Sequence, residues 1–216
     1  MGFGVWNSSD LSFKFEGEGM VPMINERDRL LNILRSEGLD LKYPEVEQYI
    51  IKKISDIPLR QQIKPNGKYI IFCPFGNAFK NKYNKRWKID NYIYVCKRII
   101  ESGYSILLIG GPNEAKDAKG IEKRLGSSCI NLTNRINLLE LLQLCEKADF
   151  YFGSDTGPMH FASIIGTKVV ALFHPLNNPN KFSPYGENNI VLSSRSNIND
   201  IVKEDVADKI IESELI

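Results

Sequence analysis

The sequence predicts an α/β fold, a parallel sheet with helices on both faces, and three observations predict it. From about residue 67 onward, short apolar runs alternate with segments whose apolar residues recur at helical spacing. Runs such as residues 68–73, apolar throughout after Lys68, suit strands buried on both faces. Residues 150–173 read strand, polar turn, helix, strand, which is one complete β-α-β unit with a right-handed crossover.

The elements follow in order. Residues 1–23 show no clean periodicity; residues 25–37 read as one amphipathic helix through Leu30, Leu31, Ile33 and Leu34, stopped by Gly38. Residues 41–65 are mixed in character and interrupted by prolines. Residues 1–66 are too few for a second domain as large as the one that follows, and are expected to be the remnant of an N-terminal domain with a linker. Within residues 67–216, the strand at 68–73 precedes a helix at 89–102, apolar at Ile89, Tyr92, Ile93, Cys96, Ile99 and Ile100 and stopped by Gly103. A strand at 104–109 ends at Gly110-Gly111-Pro112; a helix at 114–125 and a short strand at 128–132 come next. Residues 138–148 form a helix with Asn137 as its cap, and strands at 150–152 and 169–173 flank the next helix. Residues 190–192 are expected as an edge strand and 201–215 as a closing helix. The order describes a Rossmann-like domain, and ligands of such sheets bind beyond the carboxyl ends of the strands. Four polar stretches fall on that rim: 74–87, 110–114, 153–160 and 174–186.

Composition narrows the function. At 216 residues, 43% hydrophobic and 25% charged, the chain can bury a sizeable core. A net charge of +2, with both signs mixed along the chain, gives no argument for nucleic acid. Cys73, Cys96, Cys129 and Cys145 are widely spaced inside apolar segments and read as reduced, buried thiols of a cytoplasmic protein. No apolar run approaches the ~20 residues that span a bilayer, and the N-terminus lacks the pattern of a signal peptide.

Residues 153–160, Gly-Ser-Asp-Thr-Gly-Pro-Met-His, are the most informative stretch. Asp155 or Thr156 suits the N-cap of the helix that follows, and Pro158 its first position, where a missing N–H costs nothing. Gly157 permits close approach of a ligand or a positive φ. The helix start then offers free N–H groups and a positive dipole end to an anion, with His160 one turn in. The residue types alone leave this reading level with an ordinary capped helix and a packed histidine. The loop at 80–88 carries Lys80, Lys82, Lys85, Arg86 and Lys88 around Tyr83 and Trp87. It is a solvated loop, a patch for anionic lipid, or a clamp for a diphosphate; its place after a sheet strand favours the clamp, through Lys85 or Arg86. Glu114, after Gly110-Gly111-Pro112-Asn113, either serves its helix start or accepts both hydroxyls of a ribose. His174, directly after a strand, packs or lines the same pocket.

Cys73-Pro74-Phe75-Gly76, Lys85-Arg86-Trp87, Gly110-Gly111-Pro112-Asn113-Glu114, Asn131-Leu132-Thr133, Ser154-Asp155-Thr156-Gly157-Pro158-Met159-His160 and Pro184-Tyr185-Gly186 occur in the order found in glycosyltransferase family 9. The chain resembles the ADP-heptose:lipopolysaccharide heptosyltransferases of that family, over about residues 67–195, the C-terminal domain of a two-domain GT-B enzyme. The resemblance implies that this domain holds a nucleotide-diphosphate sugar of ADP type as substrate, with no separate cofactor. Carried over, Lys85 contacts phosphate with Arg86 beside it, and Glu114 holds the ribose. Asp155, Thr156, Gly157 and His160 surround the diphosphate and the sugar. Inverting, metal-independent transfer to a lipopolysaccharide or other glycan acceptor is implied, at the inner face of the cell membrane or in the cytoplasm; the sequence contains no Asp-X-Asp. The family's general-base carboxylate lies in an N-terminal domain that this chain largely lacks, and its His-Pro-Gly reads Cys73-Pro74-Phe75-Gly76 here. A truncated enzyme is therefore the first expectation. A non-catalytic nucleotide-binding module completed by a partner chain is the second, and a sugar-nucleotide epimerase the third.

Overall fold

The computed structural model describes residues 4–6, 43–55, 58–60, 65, 67–76, 86–186, 189–213 and 215–216. Seven strands form one sheet: β1 (Gly4–Trp6), β2 (Tyr69–Cys73), β3 (Ser105–Leu108), β4 (Cys129–Asn131), β5 (Phe150–Ser154), β6 (Val169–Phe173) and β7 (Ile190–Ser193). Their spatial order is β1-β7-β6-β5-β2-β3-β4. β2 to β7 run parallel, and β1 joins β7 antiparallel, Val5 opposite Leu192. The helices are α1 (Tyr43–Ser55), α2 (Ile89–Glu101), α3 (Ala115–Leu125), α4 (Leu138–Glu146), α5 (Gly157–Ile164), α6 (Pro179–Phe182) and α7 (Lys203–Glu212).

The order of strands explains where the helices lie. The chain winds from β2 through β3 to β4, then returns to the other side of β2 to lay down β5, β6 and β7. With right-handed crossovers, that reversal sends the helices of the two halves to opposite faces. α2 accordingly packs against α3 and α7, while α4 packs against α1 and α5. The central strands are then covered on both sides. Every residue of β2, β5 and β6 is buried, and Phe72 of β2 stacks on Phe152 of β5 at 5.7 Å between ring centroids. Tyr92 of α2 meets both rings edge-on, and Trp87 meets Tyr92 at 4.9 Å. Each such ring contributes roughly 1.5–3 kcal/mol by leaving water.

The expected elements are present with shifted ends. β5 runs on to Ser154, and the helix expected at 114 opens with a 3₁₀ turn, Pro112–Glu114, before α3. The closing helix is α7, behind a further 3₁₀ turn at Ile198–Asp200. The strand expected at an edge, residues 190–192, is interior, because β1 pairs along its outer side. Nothing in residues 1–23 signals that pairing: a strand this short has too few residues to display a period. α1 lies in the stretch read as remnant and linker. It buries Ile54 against the core, and the Ile54 carbonyl accepts from Gln143 Nε2 of α4 at 2.8 Å. The helix expected at 25–37 lies outside the described residues.

α4 is fixed at its start by a reciprocal cap. Asn137 Oδ1 accepts from the Glu140 N–H, and Glu140 Oε2 accepts from the Asn137 N–H, each at 2.9 Å. Arg60 closes on the same carboxylate with both Nε and Nη2, the latter at 2.7 Å, and Nη2 also donates to the Arg135 carbonyl at 2.6 Å. The hydrogen bond from Arg60 outweighs burial and holds the Glu140 carboxyl below the usual carboxylate range. The unfolded chain then binds this proton more readily than the folded one, so the contribution to stability is present above the ordinary carboxylate pKa and is lost as pH falls through the lowered one. Thermal melts from pH 7 to pH 3 are expected to show Glu140→Gln less stable than the parent at neutral pH, with the gap closing in the acid range. A gap that stays constant across that range contradicts the assignment.

Candidate functional site

The reversal of winding between β2 and β5 leaves a crevice at the carboxyl end of the sheet, the usual place for a ligand in such folds. Residues 74–76 leave β2 on one side of it, and residues 155–157 leave β5 on the other. The two strands come very close there. Gly153 is paired with Cys73, and a Cβ on Gly153 would stand 2.2 Å from the Cys73 carbonyl oxygen. Only glycine fits.

Two cavities open at this rim, and both are lined by Thr156 and Gly157. The first, about 340 Å³, lies on the β5–β6 side between Gly76, Asp155, His160, His174, Asn177 and Phe182. The second, about 310 Å³, lies on the β2–β3 side between Phe75, Gly110, Glu114, Ile136, Leu138 and Leu141. Gly110 admits the Phe75 ring, since a Cβ there would come within 2.8 Å of it. Glu114 turns back over the end of β3, its N–H bonded to the Gly111 carbonyl at 3.2 Å.

Between the cavities lies the start of α5. Thr156 occupies the N-cap position with extended backbone, φ −149° and ψ 168°, but its side chain makes no capping hydrogen bond. The expectation of a side-chain cap from Asp155 or Thr156 is thereby corrected. The Thr156 hydroxyl is instead drawn beneath the turn, 3.2 Å from Tyr151 Oη. Pro158 is the second helical residue rather than the first, since α5 begins at Gly157. Gly157 takes no positive φ; its missing side chain leaves open space, with Phe161 4.0 Å from where a Cβ would stand. The carbonyl of Thr156 accepts from Met159 and His160, at 3.0 and 3.4 Å. The N–H groups of Thr156 and Gly157 find no acceptor among the described residues, as expected for the first positions of a helix.

In the first cavity the Asp155 side chain is only 12% exposed. Its Oδ2 accepts from Asn177 Nδ2 at 2.7 Å, and its Oδ1 lies 3.7 Å from His160 Nε2. The loop that supplies Asn177 is set by His174, whose Nδ1 accepts from the Leu176 N–H and whose carbonyl accepts from the Asn177 N–H. Beneath the turn, burial pushes the Cys73 thiol and the Tyr151 phenol up, so both keep their protons.

Of the residues expected at the site, Asp155, Thr156, Gly157 and His160 line one cavity, and Glu114 lines the other with Thr156 and Gly157. Arg86 lines neither; it donates to the Gly76 carbonyl at 3.3 Å and pairs with Asp117 of α3 at 3.4 Å. Lys85 lies outside the described residues. His174 lines the first cavity. Asn177, Phe75, Ile136 and Phe182 went unnoticed in the sequence. Asn177 had a signal, as a polar residue in a long loop leaving a buried strand; the apolar three had none to tell them from core.

A family model described as glycosyltransferase family 9 (heptosyltransferase) matches residues 9–211. Lipooligosaccharide heptosyltransferase 2 of Haemophilus influenzae is 27% identical over 183 residues, covering 68% of this chain and 51% of that protein. Lipopolysaccharide heptosyltransferase 2 of Escherichia coli is 29% identical over 111 residues, 48% of this chain and 30% of that protein. Among solved structures, the glycosyl transferase family 9 protein of Veillonella parvula superposes with a TM-score of 0.66 at 20% identity, covering 89% of this chain and 60% of that one. The E. coli heptosyltransferase WaaC with ADP gives 0.62 at 20% identity, covering 77% and 48%. These structures share the fold. The chain spans about half the length of the first curated relative and less of the other.

The Gly153 contact gives the site a sharp dependence. Gly153→Ala must separate β2 from β5 where the cavities meet, and should cost on the order of 2–4 kcal/mol by denaturant melt, since backbone cannot step aside as a side chain can. An alanine variant as stable as the parent contradicts this packing.

Proposed function

This chain belongs to glycosyltransferase family 9, and from that premise we propose that it is the donor-binding part of a heptosyltransferase-type glycosyltransferase acting in lipopolysaccharide biosynthesis. One observation carries the proposal: two cavities of similar size meet at the exposed start of α5, at the point where the sheet reverses its winding. A nucleotide-diphosphate sugar has the matching plan, two bulky ends joined by two phosphates. The nucleoside occupies the second cavity, its base against Ile136, Leu138 and Leu141 and its ribose hydroxyls donating to the Glu114 carboxylate. The ADP held by one E. coli relative supports adenine as the base. The sugar occupies the first cavity, where Asp155, His160 and Asn177 can meet its hydroxyls.

The diphosphate bridges the two at the N–H groups of Thr156 and Gly157. The helix dipole contributes up to about 2 kcal/mol to an anion placed there. Lys85, the residue that the family resemblance assigns to phosphate, adds a cation, and Arg86 next to it in sequence donates to the Gly76 carbonyl at the rim. In the reaction an acceptor hydroxyl attacks the anomeric carbon from the face opposite the diphosphate. The new C–O bond forms as the bond to the β-phosphate oxygen breaks, and the configuration inverts. Negative charge grows on the leaving diphosphate, and the N–H groups of the helix start are already aimed at it, which makes their stabilisation catalytic. The proton of the acceptor hydroxyl goes to a base outside the residues assigned here. The acceptor is a lipopolysaccharide core or other glycan, reached at the inner face of the membrane; among the described residues no helix is long and apolar enough to cross one.

Isothermal titration with ADP tests the donor site without any acceptor. Binding is expected in the micromolar range, weakened roughly ten- to a hundredfold in Glu114→Ala through loss of hydrogen bonds to a charged acceptor. Lys85→Ala is expected to weaken binding and flatten its dependence on salt. No heat with ADP, or equal affinities in parent and both variants, overturns the reading.

A further inference from the structure

The cavity assigned to the nucleoside is walled on one side by the residues that join β4 to α4. This joining segment begins as a turn bonded to the end of β3. The Arg135 N–H donates to the Leu132 carbonyl at 3.0 Å, and the Asn134 N–H donates to the Gly110 carbonyl at 2.9 Å. Asn134 takes φ +57°, a left-handed conformation that asparagine tolerates better than most residues. Ile136, Asn137 and Leu138 then run along the cavity.

The same stretch is gripped by a residue distant in sequence. Arg60, between α1 and β2, donates through Nε and Nη2 to the two carboxylate oxygens of Glu140, and through Nη2 to the Arg135 carbonyl at 2.6 Å. The two acceptors bracket residues 136–139, so one planar guanidinium sets the span across the wall. The reciprocal bonds between Asn137 and Glu140 fix the start of α4 without Arg60; what Arg60 adds is the tie back to the Arg135 carbonyl. The Glu140 side chain is 8% exposed but that of Arg60 is 53% exposed. Solvent therefore weakens the attraction of the charges, and the shape of the fork is what the guanidinium contributes.

We propose that Arg60 is a positioning residue for the base of the nucleotide: by bridging the Arg135 carbonyl and the Glu140 carboxylate it sets where Ile136 and Leu138 stand, and with them the fit of a purine against this wall. The inference rests on the donor-site reading above. Arg60 itself lines neither cavity and acts through the wall residues. A residue of the stretch that precedes the sheet domain thereby takes part in choosing the donor. The coupling is reciprocal: a base seated on the wall also favours the gripped position of Arg60.

Isothermal titration of the full chain with ADP and with UDP reads the wall separately from the phosphates, which the two ligands share. The parent is expected to prefer ADP, whose larger base covers more of Ile136, Leu138 and Leu141. Arg60→Met keeps the length of the side chain without its donors. It should weaken ADP roughly three- to tenfold, the scale of one hydrogen bond, and leave UDP within about twofold, so that the preference narrows. Arg60→Lys keeps the charge beside Glu140, but a single ammonium does not reproduce the fork; it should recover thermal stability without recovering the preference. Equal weakening of both nucleotides marks general support of the fold and overturns the inference. A parent-like preference in either variant overturns it too, as does a parent that binds ADP no better than UDP. If Arg60→Met proves poorly folded by circular dichroism, Arg60→Lys decides by the same comparison. All these outcomes leave the donor-site reading standing; a parent that binds neither nucleotide overturns that reading, and the inference with it.

Discussion

Everything at the rim depends on how closely β2 and β5 are held where the chain reverses its winding. Gly153 opposite Cys73 sets that spacing, and the stacked rings of Phe72 and Phe152 one residue earlier lock it. Because the two strands leave the sheet side by side and their loops diverge, a crevice opens between residues 74–76 and 155–157. The start of α5 faces into it. A looser pairing would widen the crevice and turn the helix away; the placement of this helix start is a property of the sheet as much as of the loop.

Polar groups under the turn complete the arrangement. Two buried tyrosines from different elements, Tyr92 and Tyr151, reach it from below, and each finds a hydrogen-bond partner at Ser154. A fully bonded buried network of this kind fixes one conformation, because any alternative strands a polar group out of water. Above the turn, Asp155 is braced by Asn177 from the β6–α6 loop, so the cavity on that side is walled by two loops that hold each other. The site is thus preformed on rigid elements, which suits a leaving group whose charge must be met without reorganisation.

Much of this was legible in the sequence. The apolar strands at 69–73 and 169–173 declared themselves because burial on both faces leaves no polar residue to blur the signal, and the helix at 89–102 because its buried face recurs at helical spacing. Asn137 announced its cap three residues before Glu140, a pairing encoded locally. Residues 153–160 showed a helix start after a buried strand, and Glu114 stood just beyond a strand end. What escaped depends on contacts distant in sequence. The strand order, and with it the crevice, follows from packing that no local pattern records. α1 escaped because, among the described side chains, Ile50, Ile51 and Ile54 carry its apolar face, too few to mark a helix. The Thr156 side chain escaped because capping is the default for its type, whereas its hydroxyl meets Tyr151, the Ser154 carbonyl and Cys73 beneath the turn, a set of contacts that no local pattern records.

The most direct measurement of the central claim is a titration of 15N-labelled protein with ADP, followed by backbone amide resonances. The account predicts that the Thr156 and Gly157 amides shift downfield in saturable fashion, together with amides around Gly110 and Gly111 at the nucleoside end. Saturable binding that leaves Thr156 and Gly157 unmoved while perturbing residues elsewhere would contradict it.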